Sequence, residues 1–172
     1  MKNVRVALIL GLALSAASVF AGPGLTFTAD EQGPVGVPVF PPIGTPPMAM
    51  FYEPQWAGTV SAPSALSHLT YQWTAFGSFT VTGTDGGVWD ISAQCLRFVM
   101  TFDDAEHSTI QGVFHTTGTL DPTTFVISTT GTYEFTSGTG LFAHVKGCGK
   151  CGASTITAGK LYDCPMQGWI EY

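Results

Sequence analysis

Phe79-Thr80-Val81-Thr82-Gly83-Thr84-Asp85-Gly86-Gly87-Val88-Trp89-Asp90-Ile91 is the stretch on which the fold turns. Phe79 to Thr82 alternates apolar and polar residues, the two-residue period of a strand with one buried face. Asp85-Gly86-Gly87 supplies a turn that folds this strand back on Val88 to Ile91. Working outward, residues 95–102 place Leu96, Phe98, Met100 and Phe102 on one face and Cys95, Arg97, Val99 and Thr101 on the other. The first face reads as core, which sets Arg97 outside. Residues 58–62, 69–73, 108–116, 123–135, 141–146, 154–160 and 166–172 have the same texture of Thr, Val, Ile, Phe and Tyr punctuated by glycine and proline turns. No long segment from Trp56 onward has helical periodicity. The pattern predicts an all-β domain, an antiparallel barrel or sandwich of about eight strands. Closure into a barrel removes the edge strands that would otherwise invite aggregation, and favours the barrel.

Upstream the texture differs. Seven prolines fall between Pro34 and Pro54, including Pro41-Pro42 and Pro46-Pro47. Proline removes a backbone donor and fixes φ, so no central strand is expected to run through them. Residues 22–55 therefore read as a proline-rich N-terminal arm and 56–172 as the barrel domain. Residues 1–21 join Lys2 and Arg5 to an apolar run and small residues ending Val19-Phe20-Ala21, the pattern of a cleavable secretory signal. The apolar run is shorter than the roughly 20 residues that span a bilayer. The chain is expected to be secreted or periplasmic, with no membrane span after cleavage.

The whole chain carries a net charge of −6, and Lys2 and Arg5 leave with the signal, so the mature part is more acidic still. Such a surface repels nucleic acid phosphates and anionic headgroups, and excludes nucleic acid as a favoured partner. Four cysteines, Cys95, Cys148, Cys151 and Cys164, form an even set in an exported chain, which favours disulfides. The preferred pairing is Cys148 with Cys151 inside a hairpin turn and Cys95 with Cys164. Cys148-x-x-Cys151 as a redox pair would need a helix N-terminus to stabilise a thiolate, and its glycine-rich setting between strands offers none. A zinc site of Cys148, Cys151, Cys164 and either Cys95 or His144 is the third reading, and one Cys-x-x-Cys with distant partners is a weak signal for it. No metal or other cofactor is assigned.

The passage Gly131-Thr132-Tyr133-Glu134-Phe135-Thr136-Ser137-Gly138-Thr139-Gly140-Leu141-Phe142-Ala143-His144-Val145-Lys146-Gly147, with Phe102-Asp103-Asp104 and Gly112-Val113-Phe114 before it, resembles small secreted bacterial β-barrels related in fold to dirigent proteins and allene oxide cyclases. Ser137, Leu141, His144 and Lys146 depart from that pattern. The resemblance implies a barrel in which Gly138, Thr139 and Gly140 make a tight turn, the glycines at positive φ, with Phe142 packing beyond it.

No nucleophile elbow and no phosphate loop is present. The candidates for chemistry are Arg97, His115 and Glu134. Pointing into a barrel, His115 and Glu134 could flank a small substrate as base and carboxylate, and Arg97 could bind a carboxylate. Strand alternation places His115 and Glu134 on largely polar faces, where exposure to solvent explains them equally well. The composition thus supports a binding module for a small apolar ligand, or a structural module, ahead of an enzyme. The alternatives are an enzyme resembling allene oxide cyclase or a dirigent protein, and a packed barrel serving as an interaction protein of the cell exterior. No sequence feature specifies an oligomeric state.

Overall fold

The computed structural model describes residues 24–34, 48–157 and 161–172. Nine strands run β1 (Leu25–Pro34), β2 (Met48–Ala62), β3 (Thr70–Asp85), β4 (Val88–Phe102), β5 (Thr109–Leu120), β6 (Ile127–Thr139), β7 (Lys146–Cys151), β8 (Ser154–Thr157) and β9 (Leu161–Glu171). Every pairing is antiparallel, and consecutive neighbours from β1 to β7 are followed by β9, which pairs back onto β1. Eight strands therefore close a barrel. The short β8 extends the sheet beside β9 where β7 has ended, touching β6 at Ser128 and Ser154. Among the described residues there is no α-helix, only a single 3-10 turn, Gly140–Phe142.

Closure depends on a segment that its prolines had marked as an arm. Leu25–Pro34 pairs along its whole length with β9, from Leu25 opposite Ile170 to Pro34 opposite Leu161. It alternates as a barrel strand must, with Phe27, Ala29, Glu31 and Gly33 buried. The proline count hid this because Pro34 is the last residue of the strand, where a missing donor disturbs no ladder. The backbone of β2 likewise starts at Met48, not at Trp56, and Pro54 falls at the register shift between Glu53 and Trp56, a bulge that tolerates it. The remainder of the expected arm, residues 35–47, and the signal segment lie outside the described residues.

The interior divides into two groups of side chains. The larger includes Phe27, Trp56, Tyr71, Phe98, Met100, Phe102, Ile110 and Ile170. The smaller is Phe79, Val81, Ile91 and Leu120, at the end of the barrel that carries the Asp85–Val88 turn. Trp73 stacks on Phe98 with ring centroids 4.5 Å apart, and Phe27 meets Phe135 edge to face at 5.3 Å. A bulge between Cys95 and Phe98 alters the expected face of β4: Leu96 and Arg97 are both exposed, and Cys95 joins Phe98, Met100 and Phe102 inside.

The opposite end is held by the acidic turn. Asp104 accepts hydrogen bonds from the Ser108 backbone N–H at 2.7 Å and from its Oγ at 2.5 Å. The Oγ of Ser108 in turn accepts from the Leu141 N–H at 2.9 Å, tying the β4–β5 connection to the 3-10 turn. Gly140 has φ +58°, as the turn requires. Gly138 does not have positive φ; it is glycine because a Cβ there would meet the carbonyl oxygens of Phe142 and Thr109. Phe142 is fully buried, 4.6 Å from Phe102.

Candidate functional site

Between the two groups of core side chains lies a cavity of about 100 Å³. Its wall is mostly apolar: Trp73, Phe114 and Met166 come from the larger group and its flank, Phe79, Ile91 and Leu120 from the smaller. An eight-stranded barrel is just wide enough for its inward side chains to meet, so a void here means that the two groups do not close on one another. Groups able to hydrogen-bond or ionise also border it, Glu31, Tyr133, Cys151 and Cys164 together with the hydroxyls of Thr116, Thr129 and Tyr162.

Each arrives by strand alternation. Glu31 points inward from β1 with Ala29 and Gly33, and is only 2% exposed. Opposite it on β9 is Cys164, and opposite it on β2 is Gly58. Gly58 in turn pairs with Tyr71 on β3. The Tyr71 Oη donates to Glu31 Oε2 at 2.8 Å, and burial together with the neighbouring Glu31 charge drives the Tyr71 pKa upward, so the phenol keeps its proton. Tyr133 points inward from β6 beside Phe135 and is 2% exposed; no other protein group among the described residues hydrogen-bonds its Oη. Burial pushes its pKa up as well, with the nearby cysteines and Glu31 adding to the effect.

The cysteines are not arranged as the spacing suggested. Cys148 and Cys151 lie on one strand, β7, three residues apart, so their Cα atoms are about 10 Å apart by strand rise. A disulfide needs Cα atoms within about 7 Å, and an odd offset also turns the two side chains to opposite faces. The expected hairpin disulfide between them is therefore ruled out. Cys151 faces the cavity, where burial, Glu31 and Cys95 push its thiol up to about 12. It is a protonated thiol at neutral pH, unsuited to thiolate exchange. Cys95 and Cys164 also turn inward, and the Cys95 Sγ donates to the Phe76 carbonyl at 3.5 Å. No disulfide joins any of the four, and no three His, Cys, Asp or Glu side chains among the described residues converge as a metal site.

Arg97, His115 and Glu134 all lie outside the barrel and are exposed. Arg97 projects from the β4 bulge and cannot serve an interior carboxylate. His115 shares a hydrogen bond of 3.0 Å with the Ser92 hydroxyl across β4 and β5. With Glu134, Leu96, Lys146, Cys148 and Trp169 it borders a broader depression of about 760 Å³ open to solvent on the outer face. That depression is the larger of the two, but its charged groups are already solvated; the smaller cavity is bordered by Tyr133, whose buried oxygen has no partner among the described residues. Reading the sequence missed Glu31, Gly58 and Tyr71. The signal available for Glu31 was the alternation Phe27-x-Ala29-x-Glu31-x-Gly33, which sets an acid in line with core residues.

No protein-family model, curated protein or solved structure matches the chain. Among the described residues no helix is long and apolar enough to cross a membrane.

Proposed function

We propose that the protein is an exported binding module that holds a small, largely apolar molecule, or the apolar end of a larger one, inside its barrel. The observation that carries this reading is the cavity itself, apolar over most of its wall and bordered by a buried phenol whose oxygen bonds no protein group. Small-molecule sites are typically concave, mainly apolar and furnished with a few placed polar groups. An apolar protein cavity of about 150 Å³ accepts benzene, so one of about 100 Å³ suits a head no larger than that, roughly four to six heavy atoms. A barrel acting only as a packed structural or interaction module would have no use for the gap.

A second reading follows from the Glu31 and Tyr71 pair. An acid and a phenol held 2.8 Å apart in a water-poor interior could steer a reactive intermediate, as the resemblance to allene oxide cyclases and dirigent proteins would imply. Binding remains the stronger reading, because Tyr71 Oη is already committed to Glu31 and the groups bordering the cavity include no second base placed against a substrate.

Native mass spectrometry of protein taken from the exported fraction tests both export and cargo. A mature mass lacking the first 21 residues, with an added mass that is lost on denaturation, is the expected result. The full-length chain found only inside the cell would refute the export reading. A protein without cargo that also fails to take up small apolar molecules from solution would refute the binding reading.

A further inference from the structure

We infer that the molecule held in the barrel presents an uncharged hydrogen-bond acceptor, a ketone, aldehyde, ester or ether oxygen, to the Oη of Tyr133. This rests on the binding reading above and specifies the chemistry of the bound head. Tyr133 is 2% exposed, borders the cavity and makes no hydrogen bond through its Oη to any protein group among the described residues. A phenol in that position has a proton to donate, and burying it unused costs free energy that a ligand acceptor would recover.

The other groups around the cavity set the charge. No lysine, arginine or histidine is among the residues that line it. A carboxylate or phosphate would enter without a counter-charge and would face the acidic Glu31. Glu31 accepts a hydrogen bond from the Tyr71 Oη, so a donor already serves that acid. What Tyr133 lacks is an acceptor for its proton; an ammonium group could donate to the phenol oxygen but would leave that proton unused. The apolar wall from Trp73, Phe79, Ile91 and Leu120 then takes the hydrocarbon part.

The experiment compares four probes of one ring size: cyclopentanone, cyclopentane, cyclopentylamine and cyclopentanecarboxylate. Each is titrated into the purified protein and followed by protein NMR shifts at the residues that line the cavity. Cyclopentanone should bind about tenfold more tightly than cyclopentane, the span of one good hydrogen bond, and the carboxylate should not bind measurably. In Tyr133→Phe the ketone should fall to the level of cyclopentane while cyclopentane binding persists. The ¹³C carbonyl shift of bound cyclopentanone in the unaltered protein gives the same answer without a variant, moving downfield if a phenol donates to it. Equal binding of ketone and hydrocarbon, or preference for the amine or the carboxylate, would overturn the inference and leave the binding reading standing. Failure of all four probes to bind would remove the binding reading and this inference with it.

Discussion

The phenol of Tyr71 reaches Glu31 through the space that Gly58 leaves empty. In the register of β1, β2 and β3, Glu31 is opposite Gly58 and Gly58 is opposite Tyr71, so the 2.8 Å bond spans a whole intervening strand. A Cβ on Gly58 would overlap Tyr71 Cζ and Oη. Tyr71 is 1% exposed and has no room to retreat. Gly58→Ala should therefore destabilise the fold by roughly 1–3 kcal/mol, the usual cost of overpacking, read as a lower midpoint in chemical denaturation. An unchanged midpoint would mean that Tyr71 does not lie across Gly58.

Tyr71 and Tyr133 are two buried phenols with opposite expectations. Tyr71→Phe removes the donor that serves a buried carboxyl and should cost on the order of 1.5–3 kcal/mol. Tyr133→Phe removes an oxygen that bonds no protein group, so the unliganded protein should be as stable as the parent or slightly more so. Thermal unfolding of the two variants side by side distinguishes them, and a loss at Tyr133 as large as that at Tyr71 would contradict the difference in their surroundings.

The barrel was legible because its signals are local. The Phe79 to Ile91 hairpin forms as β3 and β4 joined at Gly86 and Gly87, both with positive φ. Arg97 falls outside as the apolar face of β4 implied, although the bulge also sends Leu96 out and brings Cys95 in. A bulge is one inserted residue, and alternation alone does not mark where the phase changes. The site was illegible for a different reason: Glu31, Gly58 and Tyr71 meet only through the registers of β1 on β2 and of β2 on β3, which join residues 40 positions apart and which no local pattern encodes. Cys148 and Cys151 show the converse error, since a spacing that suits a turn has another meaning once both residues lie on one strand.

Gly140 joins two constraints in one residue. Its φ of +58° is disfavoured for any side chain, and a Cβ there would press on Ser108 Oγ, which accepts the Leu141 N–H. Gly140→Ala should cost about 1–2 kcal/mol from the backbone alone. Hydrogen exchange at the Leu141 amide should accelerate more than exchange in β2 or β3. A uniform change across the barrel would argue against this local mechanism.

Acidification should act on stability in two separate windows. Burial, with the hydrogen bond and charge of neighbouring Asp163, raises the Asp30 pKa from 3.8 to about 6. The folded state therefore prefers Asp30 protonated, and its contribution is full below about pH 4 and lost as pH rises through 6. Asp103, Asp104 and Asp121 are shifted the other way, lowered by hydrogen bonds from Thr70, from Ser108, and from Thr124 with Thr123. Their contribution is present above about pH 4 and lost as pH falls through their depressed values. Urea midpoints should thus rise on going from pH 7 to pH 5, then fall at lower pH. Asp30→Asn should flatten the first limb and raise the midpoint at pH 7; a first limb that survives this substitution would assign it to another group.

Alkylation tests the division of the Cys-x-x-Cys pair between the two faces of β7. Cys148 borders the outer depression, whereas Cys151 faces the cavity with its thiol pushed up to about 12. Only the thiolate attacks, so the native protein treated with iodoacetamide at neutral pH should be modified at Cys148 well before Cys151, with Cys151 reacting after denaturation. Peptide mapping by mass reads the order directly. Equal native reactivity would place both side chains within reach of solvent, and recovery of the two in one disulfide would mean that the chain is not extended around Gly149, because three residues of extended strand hold the cysteines too far apart to bond.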